Sequence, residues 1–386
     1  MIVEELFLKN IRCYDNLKIN FSDGINFLYG PNASGKTSLV EAIYFLSLAR
    51  SFKTFKDKDL INRKFNEGLI SAKISYSDIK KNIEIRLLQD GKKIFINNKQ
   101  IHKISELSKI VNAIYFIPKN VLLLKDPPSS RRLFLNIAIS KFSTTYLDLY
   151  INYEKLLHSR NDVLKDEKPN LDLLDVITKQ MISISKKIYL FRKKYFEDLN
   201  LSIKNIYKKI TDKSDDINII YDTFIDNYEN YEEIALKKYA SVQEYDLLKK
   251  VTSIGVHKED FKILLNSKDV SKFGSQGENR ICVLALKLSL YELIKEDNNK
   301  PIVILDDVLS ELDSENQKRL INYLITLKQV FITSTYKIDR PNIKYYEIIN
   351  STIKEGENVW LMTKRLKLIL KRMKKKKKIV ILLKKI

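Results

Sequence analysis

FLYGPNASGKTSLVEAI, residues 27 to 43, decides the fold. It matches G-x-x-x-x-G-K-[ST] from Gly30 to Thr37, follows an apolar run that reads as a strand, and opens a helical pattern. Strand, glycine loop and helix in that order are the context in which this pattern binds phosphate. Gly30 and Gly35 permit a tight turn that aims backbone N–H groups at a β-phosphate, and the helix N-terminus adds a favourable field. Lys36 is placed to reach the β- and γ-phosphates, and the Thr37 hydroxyl to coordinate Mg²⁺. Gly30, Pro31, Asn32, Ala33, Ser34, Gly35, Lys36, Thr37 and Ser38 are therefore the expected cradle for ATP.

The metal needs a second ligand, and PIVILDDVLSELD at 301 to 313 offers one. An apolar run ending in two acids puts Asp306 at the C-terminal end of a buried parallel strand, where α/β sheets hold ligands. Asp306 is the expected magnesium partner beside Thr37, and Asp307 is expected to orient or polarise an attacking water. A further turn, SKFGSQGENR at 271 to 280, places Ser275 31 positions before Asp306. Ser275 and the N–H groups around Gly277, at a helix start, make an anion site; Ser275 can equally be a plain helix N-cap.

The order of these parts, with Ser310-Glu311-Leu312-Asp313 after the acidic strand, resembles the ATP-binding cassette class. That resemblance implies that the serine turn contacts the γ-phosphate held by another subunit. It also implies an ATP-dependent homodimer, with Asp313 at the seam. Cassette ATPases of transporters carry a histidine after the next strand. Thr333, Ser334 and Thr335 stand there instead, which counts against a transporter subunit.

The 386 residues suffice for one large domain or two ordinary ones, and the 44% hydrophobic content is that of a globular chain. No run of 18 apolar residues occurs, and MIVEELFLKN lacks the pattern of a secretory signal, so no membrane role and a cytoplasmic location are expected. Cys13 and Cys282 form no metal or disulfide pattern and read as small apolar residues. The formal charge is +21, but residues 361–386 hold twelve Lys or Arg and no acid, which leaves 57 bases against 48 acids elsewhere. The body is thus moderately basic. DNA binding fits that charge, and so does the Lys-, Ile- and Asn-rich composition of an AT-biased gene.

The first hundred residues read as short strands around one helix, with QDGKK and Asn97-Asn98 as hairpin tips. From about residue 128 long helical patterns take over, broken near Pro169, and strand patterns return after about 253. The expected fold is α/β: a cassette-type P-loop ATPase head assembled from both chain ends (1–114 and 254–358), with an inserted, mainly helical arm (115–253). Residues 359–386 read as a basic tail outside the fold.

Stretches spread over residues 1 to about 358 resemble the RecF family, bacterial recombination-repair ATPases. They include EAIYFLSLARSFKT, YFIPKNVLLLKDPPSSRRLFLN, YEKLLHSRNDVLK, IGVHKEDFKILLN, the SQGENR turn and LDDVLSELD. The chain departs from the family pattern at Glu278, where Gln is usual, at Asn136, where Asp is usual, and along Gly255-Val256-His257-Lys258-Glu259-Asp260. The resemblance implies weak, DNA-dependent ATP hydrolysis and ATP-driven dimerisation. It implies binding to single-stranded DNA and to gapped or junction duplex, and RecA loading with RecO and RecR in recombinational repair, replication restart and SOS induction. Arg131, Arg132, Lys53, Lys56 and Lys58 are candidate phosphate neutralisers, and Arg12 and Tyr14 are candidate neighbours of the nucleotide from the N-terminal strand. The rival readings are an SMC-like DNA tether, a transporter ATPase and a nuclease fusion. The tether needs sustained heptads, yet the arm spans only about 140 residues; two helices of roughly 30 residues reach about 45 Å. No second acidic or histidine cluster supports a nuclease.

Overall fold

The computed structural model describes residues 1–356 except 77, 78, 109, 297 and 298. The basic tail at 359–386 and the end of the expected head segment at 358 lie outside the described residues. Packing divides the chain into two compact units, Met1–Pro118 with the chain from Glu296, and Lys119–Lys295.

The first unit begins with β1 (Ile2–Ile11), β2 (Tyr14–Asn20), β3 (Gly24–Tyr29) and helix α1 (Lys36–Leu48). There follow β4 (Gly68–Tyr76), β5 (Ile79–Leu88), β6 (Gly91–Ile96), β7 (Lys99–Ile101), α2 (Ile104–Ser108) and β8 (Ala113–Phe116). Strands β2-β1-β4-β5-β6-β7 form an antiparallel sheet. In β1 the inward positions switch from Val3 to Leu6 and Leu8, because a bulge between Val3 and Glu5 shifts the register. Asn97 and Asn98, at φ 48° and 65°, close the β6–β7 hairpin as expected. Two successive left-handed residues are what a two-residue type I′ turn requires, and asparagine tolerates them.

The second unit contains α3 (Pro128–Phe142), α4 (Thr144–Lys165), α5 (Leu171–Thr211), β9 (Ile217–Asp222) and α6 (Tyr231–Lys249), then β10 (Asp260–Leu265), β11 (Lys268–Asp269), α7 (Val270–Phe273) and α8 (Gln276–Leu293). Pro169 sits in the break before α5, whose Asn170 caps the Leu173 N–H. With 41 residues α5 spans about 60 Å, longer than either helix expected from the sequence. Its buried residues 174, 178, 181, 185, 188, 192, 195, 199, 202 and 206 recur every 3 or 4 positions, a seam with a seven-residue period. Helices α4 and α8 pack along it, and the Ser202 hydroxyl donates to the Ser289 carbonyl at 3.2 Å. Because α8 packs in this way, the second compact unit runs to Lys295, whereas the sequence places the arm's end at 253. Strands β11-β10-β9 form a small antiparallel sheet; β10 and β11 fall where strand patterns return after about 253, whereas β9 lies in the stretch whose sequence reads as helical.

The chain returns to the first unit as β12 (Ile302–Asp306), α9 (Ser314–Leu324), β13 (Gln329–Ser334), β14 (Ile343–Ile349) and β15 (Thr352–Gly356). These complete a second sheet, β15-β14-β3-β13-β12-β8, parallel except for the edge strand β15. Every residue of β12 and β13 is buried, which is why Ile302–Leu305 and Val330–Ile332 are continuous apolar runs rather than alternating ones. Helix α1 packs against β12, β13 and β8 of this sheet and against β4 of the other. It is therefore apolar on nearly all sides, with Leu39, Ile43 and Phe45 fully buried in one core with Leu8, Ile70, Ile304 and Phe331. Both chain ends contribute to this unit, as the sequence leads one to expect.

Candidate nucleotide-binding site

The loop between β3 and α1 is shaped by steric necessity. Gly30 has φ 152°, and a Cβ there would lie 2.0 Å from the Ile348 carbonyl oxygen of β14. Gly35 has φ 113°, and its Cβ would come within 2.6 Å of the Tyr14 hydroxyl. That hydroxyl, buried, donates to the Gly35 carbonyl at 3.1 Å, and the Ser351 N–H donates to the Ser34 carbonyl at 3.0 Å. The loop is thus braced from β2 and from the β14–β15 turn.

Lys36 curls back over the loop, its Nζ donating to the carbonyls of Gly30 and Pro31, both at 2.7 Å. Burial lowers its pKa, against the pull of Asp307 and Asp306. At the end of β12, Asp306 accepts from Thr37 Oγ1 at 3.0 Å and from Thr333 Oγ1 at 2.6 Å, and burial raises its pKa. The same Thr333 hydroxyl accepts from the Asp307 N–H at 2.9 Å. Thr333, near the end of β13 and paired with Asp306 across the sheet, therefore holds both acids in place, a function that the sequence did not reveal. Asp307 takes a left-handed φ of 53°, which turns it away from the path of the strand. A pocket of about 330 Å³ lies above the loop, bordered by Lys53, Asp306, Asp307 and Thr333.

These residues fit a magnesium-bound triphosphate. Thr37 Oγ1 and Asp306 Oδ1 are adjacent hard oxygen donors, and magnesium is usually held by one or two carboxylates together with substrate phosphates. Among the described residues no cluster of three or more acidic, histidine or cysteine groups could hold a metal unaided. Ser34 Oγ and Asp307 Oδ1 are buried with no hydrogen-bond partner. Buried polar atoms are ordinarily paired, so two orphans bordering one pocket mark a place for a polar ligand.

Two residues expected near the nucleotide have supporting positions. Tyr14 braces the loop from below. The Arg12 guanidinium is committed to the buried Glu41 of α1, at 3.0 and 2.8 Å, and to the Asp59 carbonyl at 2.7 Å. Glu41 also holds the Ser51 hydroxyl, so Arg12 and Glu41 latch the segment after α1 to the helix. Cys282 is buried as expected, and burial pushes its thiol up to about 12. Cys13, likewise read as a small apolar residue, is exposed at the pocket's border.

Ser275, in the second unit, is the N-cap of α8. Its Oγ accepts from the Glu278 N–H at 3.2 Å, while the Glu278 carboxylate accepts from the Ser275 N–H at 2.8 Å, completing a capping box. Glu278 thus has a local partner that its place in the motif did not suggest. Gly277 is exposed, and an added Cβ would meet nothing within 4 Å. Asp313 caps α9, accepting from the N–H groups of Glu315 and Asn316, and the Asn316 bond leads the effects that lower its pKa.

Of the candidate DNA contacts, Arg131 does not present a free cation. Its fork grips Asp260 at 2.8 and 2.6 Å and the carbonyls of Leu124 and Asp126, with 12% of the side chain exposed. Arg132 is half-buried; Lys53, Lys56 and Lys58 are exposed.

The stretch from Gly255 to Asp260 proves to be a hub of the second unit. Glu259 pairs with Arg192, both side chains fully buried, and accepts from Tyr221, from Thr223 and from the Phe224 N–H. Arg192 also donates to the Val256 carbonyl at 2.9 Å, to Tyr146 at 3.1 Å and to Asn136 Oδ1 at 3.0 Å. Asn136, which departs from the family pattern, therefore supplies a neutral acceptor to this network. His257 Nε2 lies 3.1 Å from the Thr252 carbonyl and must donate there, leaving Nδ1 to accept from Tyr153 at 2.7 Å. Burial lowers its pKa from 6.5 to about 4. The unfolded chain then binds a proton that the folded one refuses, so stability present above pH 6.5 is lost as the pH falls toward 4. His257→Gln should flatten that part of a plot of urea midpoint against pH, and an unchanged slope would show that other groups set it.

Loop, acidic strand and interrupted head define a P-loop ATPase of the class that contains the cassette and SMC heads. The family model described as RecF/RecN/SMC N terminal domain matches residues 2–339. The DNA replication and repair protein RecF of Clostridium botulinum (strain Alaska E43 / Type E3) is 39% identical over 337 residues, 87% of this chain and 93% of the relative. That of the Loch Maree / Type A3 strain is 37% identical over 364 residues, covering 92% and 100%. A solved structure of the recombination mediator protein RecF with ATP in the RecFOR pathway superposes with a TM-score of 0.82 at 30% identity, covering 92% of this chain and 97% of that one. An Smc head bound to the C-winged helix domain of ScpA, at 17% identity and a TM-score of 0.57, shares the fold alone. The chain belongs to the RecF family.

Proposed function

We propose that this chain is a weak, DNA-dependent and magnesium-dependent ATPase. In this reading it dimerises on ATP at gapped or single-strand/duplex junction DNA and, in the cytoplasm, helps RecO and RecR load RecA during recombinational repair, replication restart and SOS induction. The observation that carries the ATPase part is the Thr37–Asp306 contact at 3.0 Å, which closes a hydroxyl–carboxylate pair over residues 269 positions apart, beside the unpartnered Asp307 Oδ1. The solved relatives with ATP and ATPrS support the nucleotide, and the names of the relatives support the repair setting.

In this mechanism the loop's N–H groups and Lys36 bind and orient the phosphates, Lys36 exchanging the Gly30 and Pro31 carbonyls for phosphate oxygens. Magnesium, when bound, neutralises charge on the β- and γ-oxygens. Thr37 and Asp306 would be its protein ligands. Asp307 accepts a hydrogen bond from the attacking water and aims it. Ser275 of a second copy closes the site over the γ-phosphate, its hydroxyl still having a proton to donate, and Asp313 lies at the seam. The open space at Gly277 supports an approach from outside: nothing within its own unit requires glycine there, and glycine in a helix costs about 0.5–1 kcal/mol relative to alanine.

Ser275→Arg should keep nucleotide binding but abolish the increase in mass that light scattering records on adding ATP and Mg²⁺, and it should lose ATP-dependent retention of gapped DNA in a gel shift. Dimerisation at the wild-type level would remove the serine turn from the mechanism. A wild-type chain indifferent to every DNA tested would remove DNA.

A further inference from the structure

The segment after α1, residues 51 to 59, is a built loop whose tip is an exposed aromatic ring. Phe52 anchors it, stacked on Tyr115 at 5.4 Å and tilted against Tyr44 at 5.6 Å. Ser51 Oγ accepts from the N–H groups of Lys53 and Thr54 at 2.8 and 3.1 Å, and Thr54 Oγ1 accepts from the Lys56 N–H at 3.2 Å. The loop's acids are turned to internal partners, Asp57 to Lys92 at 2.7 Å and Asp59 to the Thr54 hydroxyl. Its bases are not: Lys53, Lys56 and Lys58 are exposed and, among the described residues, in no ion pair. Between them Phe55 is 96% exposed.

Burying a phenylalanine is worth roughly 1.5–3 kcal/mol, so a fully exposed ring held on a braced loop calls for an external surface to cover it. Three exposed lysines within three residues of that ring in sequence favour a polyanionic surface, and the ring's open face favours a flat partner, the combination offered by unpaired bases on a phosphate backbone. An apolar protein pocket would leave the lysine charges unmatched, whereas a nucleic acid meets both the ring and the charges. Lys53 also borders the nucleotide pocket, two residues from Phe55. We propose that Phe55 is a base-stacking contact for the single-stranded part of a DNA gap or junction, with Lys56 and Lys58 on the flanking phosphates and Lys53 linking this contact to the nucleotide site. The inference rests on the DNA-binding reading above and specifies a contact for it.

The test is fluorescence anisotropy of a gapped duplex, a single strand and a blunt duplex at fixed salt, with 2-aminopurine in the gap reporting stacking. Phe55→Ala and Phe55→Leu should each weaken gap and single-strand binding by about tenfold or more and abolish the 2-aminopurine change, while Phe55→Trp retains both. Blunt-duplex affinity should move by less than about twofold, because its bases offer no free faces. ATP-dependent dimerisation should persist in all three variants. Wild-type gap binding by Phe55→Ala overturns the stacking contact and leaves DNA binding intact, whereas a wild-type chain that binds none of the three DNAs sinks the DNA reading itself. Full gap binding by Phe55→Leu would mean that apolar contact without stacking suffices, and loss of dimerisation in Phe55→Ala would mean that a second copy covers the ring; either result overturns the inference.

Discussion

Asp307→Asn is expected to slow ATP hydrolysis by about 10²- to 10⁴-fold, the usual contribution of a positioned general base, without loosening nucleotide binding. The carboxylate has an oxygen buried with no partner, and its backbone N–H is fixed by Thr333, so the group is held in place yet has unused accepting capacity. Asparagine matches its shape and tolerates the left-handed φ of 53°, so the fold should survive. One acceptor oxygen becomes a donor amide, and the attacking water loses its orientation. Phosphate release from the variant should be nearly absent while light scattering shows a longer-lived ATP dimer. Turnover at the wild-type rate would assign the water to another residue.

The second large effect is on stability. Arg192→Ala leaves the Glu259 carboxylate charged and fully buried without its counter-ion, and removing one partner of a buried pair typically costs about 3–5 kcal/mol. The loss also strips Asn136 and the Val256 carbonyl of a donor. Chemical denaturation of the full chain should show an early transition for the second unit. Adding Glu259→Gln should recover part of the loss, since the amide keeps an acceptor for the Phe224 N–H without a bare charge. A variant as stable as wild type would mean that solvent reaches Glu259.

The parts of this chain whose geometry is local were legible in the sequence. A glycine loop between strand and helix has one conformation compatible with its neighbours, and an apolar run ending in two acids fixes Asp306 and Asp307 at a strand end. What the sequence hid depended on long-range partners. Nothing local in SSRRLFLN distinguishes Arg131, locked onto Asp260, from Arg132. Nothing in GVHKED says that Glu259 will meet an arginine 67 positions earlier. The strand β9 is not legible because six residues between two long helices carry little period of their own, and no local signal announces that α8 packs on α5, which carries the second compact unit past residue 253 to Lys295. Thr333 was noticed for the histidine it replaces, whereas its hydroxyl serves both acids.

The reciprocal bonds between Ser275 and Glu278 bear on how quickly two copies could engage. A helix start without such a box frays, and a fraying end would have to settle before it could meet anything. Here the first turn of α8 is already capped by both bonds within its own subunit, so less entropy of ordering is charged to an encounter. Weakening the box alone, by Glu278→Ala, would then slow association more than it loosens the complex once formed.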